Sequence, residues 1–246
     1  NGLRIHQKIE DERFLFLCDT EGLLVWAEYP ATYEFNDKAI AALAAEWMEA
    51  VRQQYNHPCV IAWVPFNESW GIPNVYTDKL QQRFTEGIYY LTKAFDAMRP
   101  VMCNDGWEHT RSDIITVHDY DGCVERVNNR YKNDMKDILD NKIAPTNYRF
   151  VMAKGYEYQG QPIVVSEYGG FKLAGTEGWG YDGEAKDAED LVRKYDKITS
   201  AYKKMEKVCG FCYTQLTDVY HETNGLMSFD RVPKVPLEEI KKINER

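Results

Sequence analysis

The chain has 246 residues, 44% hydrophobic and 28% charged, with a net charge of -9 and a pI near 5.2. This is a globular composition; an acidic balance with no Lys/Arg run excludes a nucleic-acid surface, and no apolar stretch reaches the ~20 residues needed to span a bilayer. A length of about 250 residues accommodates one large α/β barrel or two smaller domains.

Residues 3–6 form a short apolar run that reads as a buried strand. Residues 11–21 follow a helical pattern ended by Gly22. A second strand run, 23–27, is followed by Asn36, an N-cap candidate. Ile40, Leu43, Ala44, Trp47, Met48, Val51 and Tyr55 then recur at helical spacing until Asn56-His57-Pro58 stops them. After the run 60–64, a helix starting at Thr77 carries Leu80, Phe84, Ile88, Leu91 and Phe95 on one face. Runs 101–103 and 114–117 come close together, and 128–158 is polar and weakly periodic, a helix plus a long loop. Run 163–165 leads into the Gly-rich stretch 169–184, with Trp179 and Tyr181, which reads as an active-site loop. Leu191, Tyr195, Ile198, Tyr202 and Met205 mark a third amphipathic helix, 210–213 a last strand, and a short helix follows Pro236.

Near-continuous apolar strands alternating with helices make a parallel sheet, either open and doubly wound or closed as a barrel. No GxGxxG or GxxxxGK[ST] follows the early strands. Polar residues cluster instead just past many strand ends: Glu28, Asn67 and Glu68, Asn104 and Asp105, His118 to Tyr120, and Glu167. That convergence fits a (β/α)-barrel, whose C-terminal strand ends build the site; the sequence offers about seven strands where a closed barrel has ~8. The six cysteines sit within or beside apolar runs and read as reduced thiols. This points to a reducing, cytoplasmic compartment, with a periplasmic or secreted location left open because the first residue is Asn1, not Met. Cys209-Gly-Phe-Cys212 lies in an expected buried strand with no second ligand pair, against a zinc or redox role. The 17 Tyr and 6 Trp serve either sugar stacking or, more simply, the core.

Glu68 and Glu167 each stand just past an apolar run. Desolvation there can raise a carboxyl group toward acid catalysis, and two such groups flanking a glycosidic bond suffice for its hydrolysis. A metal-dependent barrel would want His or Asp ligands beside them, and His118 and Asp119 are the candidates. Asn67-Glu68-Ser69 matches the N-glycosylation pattern, but a glycan there would block the site.

Asn56-His57-Pro58, Ile61-Ala62-Trp63 and Asn67-Glu68-Ser69 together resemble the acid/base strand of family 2 glycoside hydrolases. Ser166-Glu167-Tyr168-Gly169 resembles their nucleophile strand. In that family the two glutamates end the fourth and seventh strands, and counting 3–6 as the second strand gives Glu68 and Glu167 those places. The resemblance covers the whole chain. It implies a TIM-type (β/α)8 barrel over 1–246 that lacks its first strand and helix, in a protein that also carries N-terminal β-sandwich domains. It implies retaining hydrolysis, with Glu167 as nucleophile and Glu68 as acid/base, their carboxyls about 5–5.5 Å apart. Asn67 would bind the sugar 2-hydroxyl. His118 and Tyr120 match a His-x-Tyr whose tyrosine donates to the nucleophile. Arg4 resembles an arginine near the nucleophile, or else makes a barrel salt bridge. His6 and Trp107 line the sugar pocket or pack behind it. No metal and no organic cofactor is implied.

Two departures bear on the substrate, a glycoside or oligosaccharide. The family's eighth-strand Trp platform is replaced by 209–215, so Tyr213, Gln215 or another loop must serve. The family's glucuronidases carry an Asn-x-Lys that grips the sugar carboxylate; 220–226 here has no lysine. A neutral sugar is therefore expected: β-galactosidase first, then β-glucuronidase or β-mannosidase. A non-catalytic carbohydrate-binding barrel fragment is the alternative of another class, and a homo-oligomer is left open.

Overall fold

The computed structural model describes residues 1–146 and 148–246. Strand and helix alternate as β1 (Gly2–Ile5), α1 (Glu12–Glu21), β2 (Leu24–Glu28), α2 (Asp37–Gln54), β3 (Val60–Val64) and α3 (Lys79–Phe95). Then follow β4 (Ile115–Asp119), α4 (Val124–Lys132), α5 (Met135–Leu139), β5 (Ile163–Gly169), β6 (Lys172–Leu173), β7 (Glu184–Ala185), α6 (Ala188–Tyr202), β8 (Val208–Thr214) and α7 (Leu237–Glu245). Continuous ladders join β1-β2-β3 and β4-β5-β8 into two three-stranded sheets, and β6-β7 into a short ribbon. The β1–β2 and β2–β3 pairings are parallel. No single closed sheet runs through all the strands among the described residues. The chain folds as two compact units, Asn1–Val117 with Ile138–Ile163, and His118–Asp137 with Val164–Arg246.

The first unit is organised by α2 lying over its sheet. Asn36 caps α2 by accepting from the Ala39 amide at 3.0 Å, as its position in the sequence suggested. Leu43, Trp47 and Val51 point inward and are buried with Leu15, Val60 and Trp63. Trp47 and Trp63 meet edge to face at 6.0 Å. Each buried indole N–H has its own acceptor, Thr92 Oγ1 at 2.8 Å and Asp96 Oδ2 at 3.0 Å. α1 is ended by Gly22 at φ 71, a left-handed cap that a Cβ would strain.

The second unit has a tyrosine core. Tyr168 is buried, packs on Tyr202 at 5.0 Å and Tyr213 at 5.5 Å, and shares a hydrogen bond with Thr199 at 2.8 Å. All five apolar residues expected along α6 and just after it, Leu191, Tyr195, Ile198, Tyr202 and Met205, are buried. The tyrosine excess therefore belongs in good part to packing.

Four expectations need correction. Among the described residues, 101–103 make one isolated parallel bridge, Val101 to Trp63. Their remaining donors go to side chains: Val101 N–H to Asp113 at 2.9 Å and Cys103 N–H to Ser112 at 2.9 Å. α3 keeps only part of its apolar stripe inward: Ile88 is buried and Phe84 packs against the core, but Leu80, Leu91 and Phe95 are exposed while Gln81, Gln82, Thr85 and Thr92 are buried. The reason is that its inner face meets polar backbone: Gln82 donates to the Val75 and Tyr76 carbonyls at 2.9 and 3.0 Å, and a buried carbonyl demands a donor. The β8 strand is not buried, since Cys209 is exposed and its neighbours are half-buried. The stretch 128–158 continues α4 and holds α5, two helices too short and too polar to show a clear period.

Asp96 fastens this architecture at the far end of α3. Burial alone would raise its carboxyl, but Arg99 and Trp63 outweigh that and hold it at about 2. Since the unfolded value is about 3.9, the unfolded chain binds the extra proton between these values, and stability falls as pH drops through that window. Asp96→Asn should cost about 2 kcal/mol at pH 7 in urea unfolding, with the difference from wild type vanishing as pH approaches 2.

Candidate active site

In the first unit, the ends of β1, β2 and β3 gather around one guanidinium. Arg4 Nη2 reaches Glu28 Oε2 at 2.8 Å and Asn67 Oδ1 at 2.7 Å, and its Nε reaches Asp105 Oδ2 at 2.8 Å. Glu28 and Asp105 are fully buried, and Arg4 nearly so. Glu28 Oε1 also accepts the Gln7 amide at 2.9 Å and lies 3.1 Å from His6 Nδ1. The Arg4 contact fixes the Asn67 amide, because a guanidinium only donates and must face the oxygen. Asn67 Nδ2 is thereby left buried with no acceptor among the described residues. Glu28 and Asp105 were visible in the sequence as strand-end polar residues and Arg4 as a salt-bridge candidate, but not that one cation joins the two carboxylates.

Glu68 follows Asn67 with a left-handed backbone, φ 52, and Ser69 continues at φ 60. Such residues cost about 1–2 kcal/mol each, so the turn needs external support. Glu68 N–H donates to the Asp105 carbonyl at 2.9 Å and Ser69 N–H to Asn104 Oδ1 at 2.9 Å. Ser69 Oγ donates to Glu108 Oε2 at 2.7 Å, and Arg149 holds the other oxygen of Glu108 at 2.9 Å. Asn104 Nδ2 also donates to the Trp107 carbonyl at 2.7 Å. Trp107 is buried, with the Arg149 guanidinium 5.8 Å from its ring centre. Glu108 and Arg149 are the supports that sequence reasoning missed, and Asn104 was read only as a strand-end polar residue; Arg149 lies in the stretch read as a helix plus a long loop.

In the second unit, β4 carries His118 one residue before its end and β5 carries Glu167. The Tyr120 hydroxyl donates to Glu167 Oε2, and His118 Nδ1 lies 3.3 Å from the same oxygen. Burial, and next the negative charge of Glu167, push the Tyr120 phenol far above its ordinary range, so it stays a donor. Its ring stacks on Tyr181 at 3.7 Å, and Tyr181 meets Trp179 edge-on at 5.1 Å. This brings the 169–184 loop over Tyr120. The loop can approach only because Gly170, at φ 68, has no side chain: a Cβ there would lie 2.8 Å from the Tyr181 ring. Asp119, fully buried, points elsewhere, to Arg130 at 2.6 Å, and burial raises its carboxyl despite that cation.

The expected platform residues of β8 are otherwise engaged. The Tyr213 ring lies against Gly169, where a Cβ would fall 2.2 Å from it, and packs on Tyr195 at 4.9 Å. Gln215 donates to Asn224 at 3.0 Å and so ties down the following turn. Trp179 and Tyr181 are the half-exposed aromatics of this unit's loop. A metal-like grouping in the first unit, Asp19, His57 and Cys59, is internally satisfied: Asp19 takes His57 Nδ1 at 2.6 Å and the Cys59 amide at 2.8 Å.

The family model described as glycosyl hydrolases family 2, TIM barrel domain, matches residues 1–246. The β-glucuronidase of Sus scrofa is 25% identical over 180 residues, 71% of this chain and 26% of that protein. Among solved structures, the fold matches an uncultured Clostridium sp. β-glucuronidase with TM-score 0.73 at 19% identity. It matches a family 2 β-galacturonidase from Eisenbergiella tayi bound to galacturonate with TM-score 0.75 at 19% identity. Both matches cover all of this chain and 44% of the other, so the chain spans less than half the length of the proteins it matches.

Asn104→Ala would strand the Ser69 N–H and the Trp107 carbonyl in a buried setting. Urea unfolding should show a loss of about 2–3 kcal/mol, and an unchanged midpoint would show that the turn is held otherwise.

Proposed function

The chain belongs to glycosyl hydrolases family 2, and from that premise we propose that 1–246 is the catalytic barrel of a retaining exo-β-glycosidase. The observation that carries the reading is Glu167, a buried carboxylate held by a permanently protonated phenol and by His118. Donors of this kind keep a carboxylate ionised and aimed, as a nucleophile requires.

Glu167 attacks the anomeric carbon as the bond to the leaving oxygen breaks, and Glu68 gives that oxygen its proton. A glycosyl ester of Glu167 results. Glu68, now a carboxylate, takes a proton from water, whose oxygen displaces Glu167 and releases the sugar. Asn67 Nδ2, buried and without an acceptor among the described residues, is suited to donate to the sugar 2-hydroxyl. Arg4, with Nη2 on Glu28 and Asn67 and Nε on Asp105, holds Asn67 in place for the sugar. His6, half-exposed, and Trp107 complete the sugar-facing set on the first unit. In this reading β-sandwich domains stand N-terminal to the barrel, as the greater length of the matched proteins leaves room for.

For the sugar, a neutral β-galactoside is the first reading. It rests on 220–226, which lacks the lysine expected for a uronate. The nearby Lys234 is buried and spent on Asp218 at 2.6 Å and the Thr223 carbonyl at 2.9 Å. A β-glucuronide is the second reading, favoured by the names of the pig and Clostridium proteins. Kinetics of the full-length protein on 4-nitrophenyl β-galactoside, β-glucuronide and β-mannoside separate them. The galactoside should give the highest kcat/KM, and a glucuronide preference of tenfold or more replaces the first reading with the second. Glu167→Gln should abolish covalent labelling by the matching 2-fluoro glycoside; equal labelling of that variant and wild type would remove Glu167 from its role. Glu68→Ala should lose most rate on poor leaving groups and regain turnover on activated ones with azide.

A further inference from the structure

We propose that Trp70, braced by Tyr33, is the binding platform for the leaving group, a subsite for an aglycone with a flat apolar face. The proposal rests on the reading of Glu68 as the proton donor. A proton donor must come within hydrogen-bond reach of the leaving oxygen, about 2.6–3.2 Å, so the aglycone lies on the Glu68 side of the sugar. Trp70 is two residues further along, its Cα within about 7 Å of that of Glu68.

The turn that carries Trp70 is anchored on every side except the indole. Trp70 N–H donates to the Asn67 carbonyl at 3.0 Å and Ile72 N–H to the Ser69 carbonyl at 3.0 Å. Ser69 points inward to Glu108, and Ile72 and Val75 are fully buried. Gly71, at φ 78, lies against Thr32, where a Cβ would fall 2.1 Å from the hydroxyl and 3.0 Å from the carbonyl oxygen. That close approach clasps the loop after β2 to the turn after β3 and sets Tyr33 against Trp70, edge to face at 5.6 Å and 71°. Yet Trp70 is 47% exposed and Tyr33 78%.

One exposed aromatic residue is ordinary on a protein surface. Two that meet where the loop after β2 is clasped to the turn carrying Glu68 are different: each ring restrains the other, which lowers the entropic cost of ordering them on a ligand. Their faces suit an arene or the apolar face of a pyranose ring, with the edge-to-face brace holding the indole in place.

The test uses the full-length protein and one glycone attached to three leaving groups: 4-methylumbelliferone, a second hexose, and methanol. Trp70→Ala should lower kcat/KM on the first or second by about tenfold relative to the methyl glycoside. A drop confined to the aryl substrate identifies an arene, and one confined to the disaccharide a sugar. Trp70→Phe should recover most of the difference, and Tyr33→Ala should show a smaller loss of the same kind. The 2-fluoro glycosyl-enzyme of Trp70→Ala should regain activity in water at the wild-type rate, because the leaving group has already departed. Equal losses on all three substrates, or slowed reactivation, overturn the platform and mark Trp70 as a structural support of Glu68. Wild-type protein that neither cleaves a glycoside nor takes the 2-fluoro label overturns the glycosidase reading itself.

Discussion

One guanidinium governs the first unit. Arg4 reaches the ends of β2 and β3 and the backbone segment at 105 through Glu28, Asn67 and Asp105. Taking two carboxylates out of water costs several kcal/mol for each, and only a well-placed cation with further donors offsets that cost. The planar guanidinium suits the task, since it offers donors in several fixed directions at once, where a lysine would supply a point charge. Removing Arg4 would leave two uncompensated buried charges, a loss of about 3–5 kcal/mol for a single broken pair. The same contact decides which end of the Asn67 amide faces outward, so a stability interaction also sets the chemistry of the residue beside Glu68.

The second unit solves a related problem with neutral donors. Glu167 is buried like Glu28, but its partners are a phenol and an imidazole rather than an arginine. For the nucleophile proposed at Glu167 this matters: a full cation would stabilise the carboxylate and also quench its nucleophilicity, whereas a phenol orients it and leaves the negative charge in place. The Tyr120 hydroxyl can do this across the ordinary pH range because burial and Glu167 itself keep its proton on. The stacked Tyr181 then ties the Gly-rich loop to the same residue.

Much of this was legible in the sequence, for identifiable reasons. Asn36 and Gly22 mark helix ends through local chemistry, and the structure has them capping α2 and α1. Glu68, His118 and Glu167 stand at strand ends, where an apolar run turns polar. What was hidden depends on partners far apart in the chain. Arg4 and Asp105 are 101 residues apart, and Glu108 and Arg149 are 41, so neither pair leaves a local pattern. α3 misled because its inner face meets loop carbonyls, where Gln82 serves better than leucine. Tyr213 misled because an aromatic residue on a strand end gives no sign of whether its ring faces a ligand or, as here, Gly169 and Tyr195.

The turn at 68–71 shows how these demands combine. Glu68 and Ser69 hold left-handed backbone that glycine would adopt more cheaply, yet glycine at 68 would have no carboxyl group to offer. The strain is tolerated because the amides of Glu68, Ser69 and Trp70 each find an acceptor, and because Glu108 and Arg149 hold the Ser69 hydroxyl from below. Strain over-determined in this way confines the backbone to one conformation. For the proton donor proposed at Glu68 the reward is precision: its carboxyl group and the exposed indole two residues on share one rigid frame, which Gly71 presses against Thr32. A relaxed turn would be more stable by itself but would let the proposed donor and the proposed platform at Trp70 move independently, and catalysis depends on holding reacting groups in a fixed geometry.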